Sequence, residues 1–240
     1  MTAVELEGKV AVVTGSTRGI GRAIAEALAR QGAEVVLCAR REETVRRAVG
    51  EMKRQGLRAR GKACDVRKYR DIDSFMGFAA ETTGGLDILV NNAGVGAFAH
   101  ISDLSPEVWD QVIDTNLTGV FYACHAALPH LRRRGSGHII NVSSLAGKNA
   151  FKGGTAYNAS KFGLEGLSEA MMLDLRYENI KVSYIMPGSV ATEFAGREPS
   201  EGEEWRLIPA DVAEVVLDLL AQEHRALASR IELRPFQPRK

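Results

Sequence analysis

The chain has 240 residues, of which 45% are apolar and 25% charged, a composition that suits one α/β domain with a substantial core. Lysine plus arginine (31) nearly balances aspartate plus glutamate (30), which disfavours nucleic acid or an anionic membrane as a partner. Residues 1–8 lack the apolar segment of a secretory signal, and no apolar run approaches membrane-spanning length. We therefore expect a cytoplasmic protein in which residues 1–240 form a single domain.

The cysteines and histidines do not follow a metal-binding pattern. Cys38, Cys64 and Cys124 are widely spaced, without a CxxC pair or a nearby series of histidines. We interpret them as core thiols and the five histidines as structural or surface residues. No metal site is predicted.

Strands and helices are predicted to alternate along the chain. Residues 9–14 are apolar and bounded by glycines, as a strand buried on both faces would be. Further strands are predicted at about residues 34–39, 58–64, 86–90, 138–142, 181–186 and 229–233, and helices at about 20–31, 42–55, 69–83, 106–133, 155–177 and 210–220. Basic residues share one face of residues 58–64, which favours an exposed sheet edge over a nucleic-acid stripe. The alternation predicts a doubly wound parallel sheet with helices on both faces.

A glycine-rich turn follows the first predicted strand. Gly15-Ser-Thr-Arg-Gly-Ile-Gly21 opens the next helix, where backbone amides bind pyrophosphate and glycine permits close approach. The turn lacks the P-loop spacing, which disfavours a nucleoside triphosphatase. We predict dinucleotide contacts at Gly15, Thr17, Arg18, Gly19, Ile20 and Gly21. A glycine turn that only packs tightly is the alternative.

The end of the second predicted strand favours NADP(H) over NAD(H). An NAD site presents a carboxylate to the ribose 2′-hydroxyl at this point, whereas this chain has Arg40 and Arg41. Arg18 adds a third positive charge, and guanidinium groups bind phosphate oxygens in a bidentate manner. Because surface arginines are common and two glutamates follow, an exposed charged turn is the alternative.

Tyr157 and Lys161 lie one helical turn apart on one face of the helix predicted at residues 155–177. The pair alone favours an ordinary solvated face, since many surface helices carry a tyrosine and a lysine at this spacing. Its significance comes from the motifs that precede and follow it.

The order of motifs is that of a known family. The motifs are Thr14-Gly-Ser-Thr-Arg-Gly-Ile-Gly21, Asn91-Asn-Ala-Gly94, Asn116, Ser143-Ser144, Tyr157-x-x-x-Lys161 and Pro187-Gly188. From about residue 8 to residue 220 the chain closely resembles the standard-length short-chain dehydrogenases/reductases, near the 3-oxoacyl-[acyl-carrier-protein] reductases. The resemblance implies a single-domain Rossmann fold with a seven-stranded parallel sheet of order 3-2-1-4-5-6-7.

The resemblance also implies a catalytic tetrad of Asn116, Ser144, Tyr157 and Lys161. Tyr157 is then the acid/base, Ser144 hydrogen-bonds the substrate oxygen, Lys161 binds the nicotinamide ribose, and Asn116 holds a water that relays protons. Ser144 is preferred to Ser143 because the family's serine precedes its tyrosine by thirteen residues. A turn-capping Ser144 and a structural Asn116 are the alternatives.

Lys161 has sufficient charge to tune the tyrosine. Bringing a phenol from a pKa near 10 to about 7 requires roughly 4 kcal/mol, and one ammonium at about 4 Å supplies a similar amount at an effective dielectric near 20. We therefore expect Lys161, helped by the oxidised nicotinamide, to lower the pKa of Tyr157.

Further cofactor contacts are implied by the same resemblance. Asp65 and Val66 meet the adenine, and Asn91, Asn92, Ala93 and Gly94 line the adenosine side of the cleft. Pro187, Gly188, Val190 and Thr192 lie along the nicotinamide carboxamide. Asp65 is equally suited to capping the helix that follows it.

The substrate is predicted to be a carbonyl or secondary alcohol, with reduction of an apolar or extended carbonyl compound favoured. Residues 193–208 form a short acidic segment, which predicts an open cleft without the hydrogen bonds that sugars need. A 3-oxoacyl-[acyl-carrier-protein] reductase and a polyol or sugar dehydrogenase remain alternatives. A non-catalytic NADP sensor is disfavoured by the retained tyrosine and lysine, and a serine hydrolase by the missing G-x-S-x-G motif.

A homodimer or homotetramer is predicted from the apolar residues of the two long helices. These residues are Val112, Val120, Phe121, Cys124, Leu128, Phe162, Leu167, Met171 and Leu175. In the family that the chain resembles, these helices pair across a two-fold axis. The C-terminal residues lack the glycine-rich ending of tetrameric members, which puts the tetramer in doubt.

Overall fold

The computed structural model describes residues 4–196 and 202–238. The strands are β1 (Val10–Thr14), β2 (Glu34–Ala39), β3 (Ala59–Ala63), β4 (Ile88–Asn91), β5 (Gly137–Val142), β6 (Ile180–Pro187) and β7 (Arg230–Leu233). The helices are α1 (Gly19–Arg30), α2 (Glu42–Arg54), α3 (Tyr69–Thr83), α4 (Pro106–Ile113), α5 (Gly119–Arg134), α6 (Thr155–Leu175) and α7 (Pro209–Leu220). The predicted alternation is confirmed, with element ends close to those expected.

The seven strands form one parallel sheet of order β3-β2-β1-β4-β5-β6-β7. This order confirms the expectation from the family resemblance. All five residues of β1 are buried, because helices cover both faces of the sheet at its centre. The charged strand β3 lies at the edge, as its basic face predicts.

Alternate residues of β1 contribute to two separate cores. Ala11 and Val13 pack with buried residues of α1, α2 and α7 on one face. Val10 and Val12 pack with buried residues of α3, α5 and α6 on the other face. Burying both faces in this way fixes the register of the central strands, since a shift of one residue exchanges the two cores.

The helix predicted at residues 106–133 is interrupted. Residues Asp114–Thr118 form a π-helical turn between α4 and α5, and Asn116 lies fully buried within it. The backbone at Gly119, just after this turn, packs closely against the segment after β3. A Cβ at Gly119 would lie 2.9 Å from the carbonyl oxygen of Val66. A π-helical turn inserts an extra residue into the helix and often marks a functional site.

The carboxyl ends of the strands define the cleft that the site occupies. Neighbouring strands β1 and β4 are connected to the rest of the sheet in opposite directions, which creates a topological switch point. In sheets of this kind ligands bind beyond the carboxyl ends of the strands at that point. The predicted site residues follow β1, β2, β3, β4, β5 and β6, so the fold places them along one edge of the sheet.

Candidate active site

The glycine turn between β1 and α1 is shaped by close backbone contacts. Gly15 has φ +63°, and a Cβ there would lie 2.8 Å from Cα of Ala93. Gly19 has φ +56°, a left-handed conformation that favours glycine. A Cβ at Gly21 would overlap the side chain of Asn92 and the carbonyl oxygen of Gly15. Each predicted glycine is therefore required by conformation or by space.

The N-terminus of α1 is open to an anion. Its N-cap residue, Arg18, makes no side-chain capping bond, and the first turn contains no acidic residue. The helix amides and their partial positive charge therefore face the cleft without a competing carboxylate from this turn. Thr17 is half-buried beside them, and the side chain of Ile20 packs onto the core below the turn.

The turn is fixed to β2 by a buried serine. Ser16 donates its hydroxyl hydrogen to the carbonyl oxygen of Val13 (2.7 Å) and accepts from the backbone N–H of Cys38 (3.2 Å). Its own N–H donates to the carbonyl oxygen of Cys38 at 3.2 Å. Sequence analysis did not single out Ser16, whose fully buried position follows from tertiary packing.

The predicted phosphate-binding arginines lie on the surface of the cleft. Arg40 and Arg41 are exposed at the end of β2 and the start of α2. The guanidinium of Arg18 instead donates to the carboxylate of Glu193 at 2.6 Å, with 71% and 59% of the two side chains exposed. The ion pair connects the glycine turn to the segment that follows β6.

Asp65 lies after β3 as predicted, but its carboxylate has a partner in the protein. Arg67 contacts it through two guanidinium nitrogens, with a shortest distance of 2.6 Å. This hydrogen bond lowers the pKa of Asp65. The N-cap of α3 is Lys68, so Asp65 forms a turn ahead of the helix and does not cap it. The neighbouring Val66 is buried.

The motif after β4 packs against the glycine turn. The backbone N–H groups of Asn92 and Ala93 donate to the hydroxyl oxygen of Thr14 at 3.0 and 3.1 Å. The amide nitrogen of Asn92 donates to the carbonyl oxygens of Thr14 and Gly15, both at 3.0 Å. A Cβ at Gly94 would lie 3.4 Å from Oδ1 of Asn116. This motif therefore connects the phosphate turn to the π-helical turn.

The side chain of Asn91 lies in the core, so only the backbone of this residue is left to line the adenosine side of the cleft. Asn91 is 2% exposed, and its amide nitrogen donates to Oδ1 of Asn141 (2.9 Å) and to the sulfur of Cys124 (3.2 Å). Because Asn91 is the last residue of β4, its side chain points into the core between the sheet and α5. Cys38, Cys64 and Cys124 are all buried free thiols, which agrees with the interpretation as core residues.

The predicted nicotinamide-side residues lie at the end of β6 and in the segment that follows it. Pro187 ends β6, and the N–H of Gly188 donates to the carbonyl oxygen of Leu233 at 2.7 Å. Val190 is buried, and Thr192 would contact a Cβ at Gly19 at 3.6 Å. Of the predicted nicotinamide-side residues, Thr192 therefore lies beside the glycine turn.

Tyr157 and Lys161 lie in the first two turns of α6, beside the end of β5. The ammonium of Lys161 is buried, donates to the carbonyl oxygen of Val142 at 2.9 Å and lies 5.8 Å from the ring centroid of Tyr157. Burial lowers the pKa of Lys161 to about 8. Sequence analysis missed Val142, because a backbone carbonyl leaves no residue-type signal.

The protein environment raises the pKa of Tyr157. Burial disfavours the phenolate, while a hydrogen bond with Ser144 acts in the opposite direction. The depressed pKa expected from Lys161 is therefore not produced by the protein groups alone. A protonated Tyr157 is the form that donates a proton to a carbonyl oxygen.

The two serines after β5 have different partners. The hydroxyl of Ser144 accepts from the N–H of Ala146 at 3.1 Å, and its interaction with Tyr157 acts to lower the pKa of that phenol against the effect of burial. Ser143 is 4% exposed and faces Glu165, with 3.4 Å between the hydroxyl oxygen and the carboxylate. The active-site role of Ser144 stays a prediction, and the turn-capping role considered for it is present.

The side chain of Asn116 is engaged by the protein. Its Oδ1 accepts from the N–H of Val95 (2.8 Å), and its Nδ2 donates to the carbonyl oxygen of Val95 (2.9 Å) and to the hydroxyl of Ser160 (3.1 Å). These bonds couple the segment after β4 to α6, next to Tyr157. The water-holding role stays a prediction.

Aromatic residues that sequence analysis did not identify surround Tyr157. The ring centroids of Phe98 and Phe194 lie 5.6 and 5.8 Å from that of Tyr157, and Phe151 lies 5.6 Å from Phe98. These phenylalanines belong to three loops far apart in the chain, so no local pattern indicated that they meet.

The acidic segment at residues 193–208 is described in part. Leu207 forms an isolated parallel bridge with Val190, which precedes the segment, and Arg206 donates to Ser189, Val190 and Glu203. Residues 197–201, including the predicted acidic Glu198 and Glu201, lie outside the described residues.

Two further findings concern the described residues alone. Within 4–196 and 202–238, no helix is both long and apolar enough to cross a membrane. The same residues contain no cluster of three or more histidine, cysteine, aspartate or glutamate side chains able to hold a metal ion.

Sequence comparisons place this geometry in a family. The model of the short chain dehydrogenase family matches residues 9–202. Dehydrogenase/reductase SDR family member 4 of Oryctolagus cuniculus is 40% identical over 191 residues, which cover 79% of this chain and 74% of that protein. An uncharacterized oxidoreductase of Staphylococcus aureus strain N315 is 36% identical over 231 residues, which cover 96% of this chain and 98% of that one.

Solved structures agree. The alcohol dehydrogenase of Thermococcus sibiricus, complexed with 5-hydroxy-NADP, matches with a TM-score of 0.90 and 32% identity over 97% of this chain and 98% of that one. A metagenomic short-chain oxidoreductase in complex with NADP matches with a TM-score of 0.85 and 39% identity over 97% and 99%. The suggested proximity to 3-oxoacyl-[acyl-carrier-protein] reductases is not addressed by these matches and stays a prediction. The chain belongs to the short-chain dehydrogenase family of oxidoreductases.

Proposed function

We propose that the protein is an NADP(H)-dependent oxidoreductase that transfers a hydride between the nicotinamide and a carbonyl or secondary alcohol, with Tyr157 as the acid/base. The observation that carries the proposal is the grouping of Tyr157 and Lys161, 5.8 Å from ring centroid to ammonium, with Ser144 at the end of β5. The family and the NADP complexes among related structures support it.

The residues of the cleft fit a dinucleotide. The close contacts at Gly15 and Gly21 leave backbone exposed where a side chain would stand, and the uncapped N-terminus of α1 suits a pyrophosphate. Exposed Arg40 and Arg41 suit a 2′-phosphate. When bound, the cofactor supplies or accepts the hydride.

The chain's own groups handle the proton. Tyr157 donates its hydroxyl proton to the carbonyl oxygen as negative charge develops there, and Ser144 donates a hydrogen bond to the same oxygen. Lys161, held by the carbonyl of Val142, stabilises the resulting phenolate through its positive charge. Asn116 positions the segment after β4 against α6 and completes the proposed tetrad.

Carbonyl reduction is the direction that we propose for this site. Burial raises the pKa of Tyr157, which keeps the hydroxyl protonated near neutral pH and ready to act as an acid. Alcohol oxidation requires the phenolate, which the buried site disfavours unless a further positive charge is present. The natural substrate class remains a carbonyl compound on an apolar or extended skeleton.

A consumption assay tests this function. In separate reactions the purified protein is mixed with NADPH and a simple aryl ketone, or with NADPH and a 3-oxoacyl thioester. A third reaction contains NADP⁺ and a sugar alcohol. Turnover of a carbonyl compound that depends on Tyr157 supports the proposal. Clear preference for the sugar alcohol supports a polyol dehydrogenase, and tight cofactor binding without any turnover supports a non-catalytic sensor.

We also propose that the protein is at least a homodimer. Phe121 on α5 and Phe162 on α6 are 48% and 47% exposed, which leaves apolar surface on both long helices. Of the residues predicted for this surface, Val112, Val120, Cys124 and Leu175 are buried within the chain's own core and cannot contribute. A monomer by light scattering at micromolar concentration would contradict the proposal.

A further inference from the structure

Three half-exposed phenylalanines form what we call the aromatic collar, defined by Phe98, Phe151 and Phe194. These residues are 51%, 46% and 37% exposed. Phe98 contacts both Phe151 and Tyr157, and Phe194, in the segment after β6, also contacts Tyr157. The distances between the ring centroids are 5.6 to 5.8 Å. The collar therefore begins at the ring that carries the proposed catalytic hydroxyl.

The loops that carry two of these rings are held in place. The N–H of Ala99 donates to the carbonyl oxygen of Gly153 at 2.9 Å, which pairs the segment of Phe98 with that of Phe151. Asn158, next to Tyr157 on α6, accepts from the N–H of Phe151 at 3.3 Å. Its amide also donates to the carbonyl oxygen of Ala146 at 2.6 Å. These bonds preorganise the collar, which lowers the entropy lost on binding.

The absence of a side chain at Gly96 makes room for the ring of Phe194. A Cβ at Gly96 would lie 2.6 Å from Cε1 of Phe194 and 3.1 Å from Cζ of Phe98. Gly96 does not have a positive φ angle, so the requirement for glycine here is one of space and not of backbone conformation. Glycine at this position therefore leaves room for the rings of both Phe98 and Phe194 beside Tyr157.

We propose that the aromatic collar binds an aromatic ring attached directly to the reacting carbonyl, so that the enzyme reduces aryl ketones and aryl aldehydes. A carbonyl oxygen that hydrogen-bonds to Tyr157 carries its substituents next to the rings that contact Tyr157. The observed ring pairs are tilted or T-shaped, with interplanar angles of 57° to 78°. An aryl substituent extends this edge-to-face packing, whereas a saturated ring of the same size gains burial alone.

The inference rests on the proposed carbonyl reduction and is tested with a matched pair of ketones. We compare kcat/KM with NADPH for 1-phenylethanone and 1-cyclohexylethanone in the wild type and in the variants Phe98→Leu, Phe151→Leu and Gly96→Ala. Intrinsic reactivity cancels when the aryl-to-cyclohexyl ratio of each variant is divided by that of the wild type. Each variant is expected to lower this ratio by about two- to tenfold, the worth of an aromatic pair.

Two controls separate the collar from general effects. Gly77→Ala adds a methyl group on α3 where nothing lies within 4 Å, and it should leave the ratio unchanged. Thermal unfolding of each variant shows whether it is folded. An unchanged ratio in all three collar variants, in folded and active protein, would overturn the inference.

A binding measurement separates this proposal from the proposed function. The Tyr157→Phe variant keeps the ring that the collar contacts, and its complex with NADPH is titrated with the two ketones by calorimetry. Tighter binding of 1-phenylethanone that is lost in Phe151→Leu supports the collar even when no carbonyl is turned over. Equal binding of the two ketones in every variant rejects the collar, whatever the activity of the wild type.

Discussion

The two sides of the cleft are constructed in different ways. On the nucleotide side, the positions of Gly15 and Gly21 are determined by backbone contacts, and side chains are excluded. On the substrate side, the surface consists of phenylalanine rings from three loops around Tyr157. A backbone cradle restricts which residues a sequence can carry, whereas a side-chain surface changes by substitution. We therefore expect the glycine turn to tolerate few substitutions, whereas substitutions among the phenylalanines can change which substrate binds beside Tyr157.

The largest expected effect comes from the residue at which the two sides meet. Tyr157→Phe removes the hydroxyl but keeps the ring contacts with Phe98 and Phe194. We expect carbonyl reduction to fall by roughly 10²- to 10⁴-fold, the usual worth of a positioned acid. Cofactor affinity and the unfolding temperature should stay near the wild-type values.

The matched control is Tyr177→Phe, since Tyr177 is 92% exposed in the turn after α6. The measurement is the initial rate with NADPH and a ketone under conditions where the chemical step limits turnover. The rates of the two variants are compared with that of the wild type. Near wild-type turnover in Tyr157→Phe would exclude Tyr157 as the acid.

The contrast between regions determined by local pattern and regions determined by distant contacts also explains how much of the structure the sequence predicts. The strand order and nearly all element bounds were predictable because burial on both faces of the sheet leaves short apolar strands between amphipathic helices. The π-helical turn at Asp114–Thr118 was not predictable, because packing of Gly119 against the chain after β3 accompanies it and no helical pattern encodes that contact. Tertiary contact here overrides a continuous helical periodicity.

The candidate site divides in the same way. The glycine turn and the Tyr157–Lys161 pair were found because short spacings encode them. The partner of Lys161, the carbonyl of Val142, and the partner of Arg18, Glu193, come from distant segments. The collar was missed for the same reason, since Phe98, Phe151 and Phe194 meet only in the fold. The Asp65–Arg67 pair is local, and its i,i+2 spacing was an available signal.

The nucleotide side is tested next, through its charge. We expect NADP(H) to bind at least about tenfold better than NAD(H), or roughly 1.4 kcal/mol, because Arg40 pairs with the 2′-phosphate. Arg40→Asp should abolish or reverse this preference through direct repulsion. Dissociation constants from fluorescence titration give the ratio.

The control for this change is Arg47→Asp, which reverses an exposed charge on α2, the helix that follows Arg40, beside Glu51 (3.9 Å). It should leave the ratio close to that of the wild type. Equal affinities for NADP(H) and NAD(H) in the wild type would remove the basis for the prediction.

The pH dependence sharpens the role of the substrate side. Burial lowers the pKa of Lys161 to about 8 and raises that of Tyr157. Below pH 8 both groups carry their protons, so the acid is present and its phenolate product is stabilised. As the pH rises through about 8, Lys161 loses its charge first.

We therefore expect kcat/KM for carbonyl reduction to fall above about pH 8 by up to tenfold per pH unit, while the pH-independent region lies below it. The measurement is a rate profile from pH 6 to 10 in buffers of constant ionic strength. A profile that stays flat to pH 10 would contradict a catalytic role for the Lys161 charge.

The smallest expected effect concerns the exposed Arg18–Glu193 ion pair, which connects the two sides of the cleft. Glu193, after β6, holds the guanidinium of Arg18, which belongs to the glycine turn. Because one guanidinium cannot serve both groups fully, Glu193 competes with the 2′-phosphate for Arg18. Glu193→Gln should therefore tighten NADPH binding, by no more than about fivefold because exposed ion pairs are weak. NADH binding should change less, since it lacks the 2′-phosphate.

In an Arg18→Ala background the effect of Glu193→Gln should vanish, and this double-mutant cycle isolates the pair. Glu223→Gln, which removes an exposed charge near Arg225 (3.5 Å), is the control for net charge. If Glu193→Gln weakens NADPH binding instead, the ion pair acts to hold the segment after β6 over the cofactor and does not compete with it.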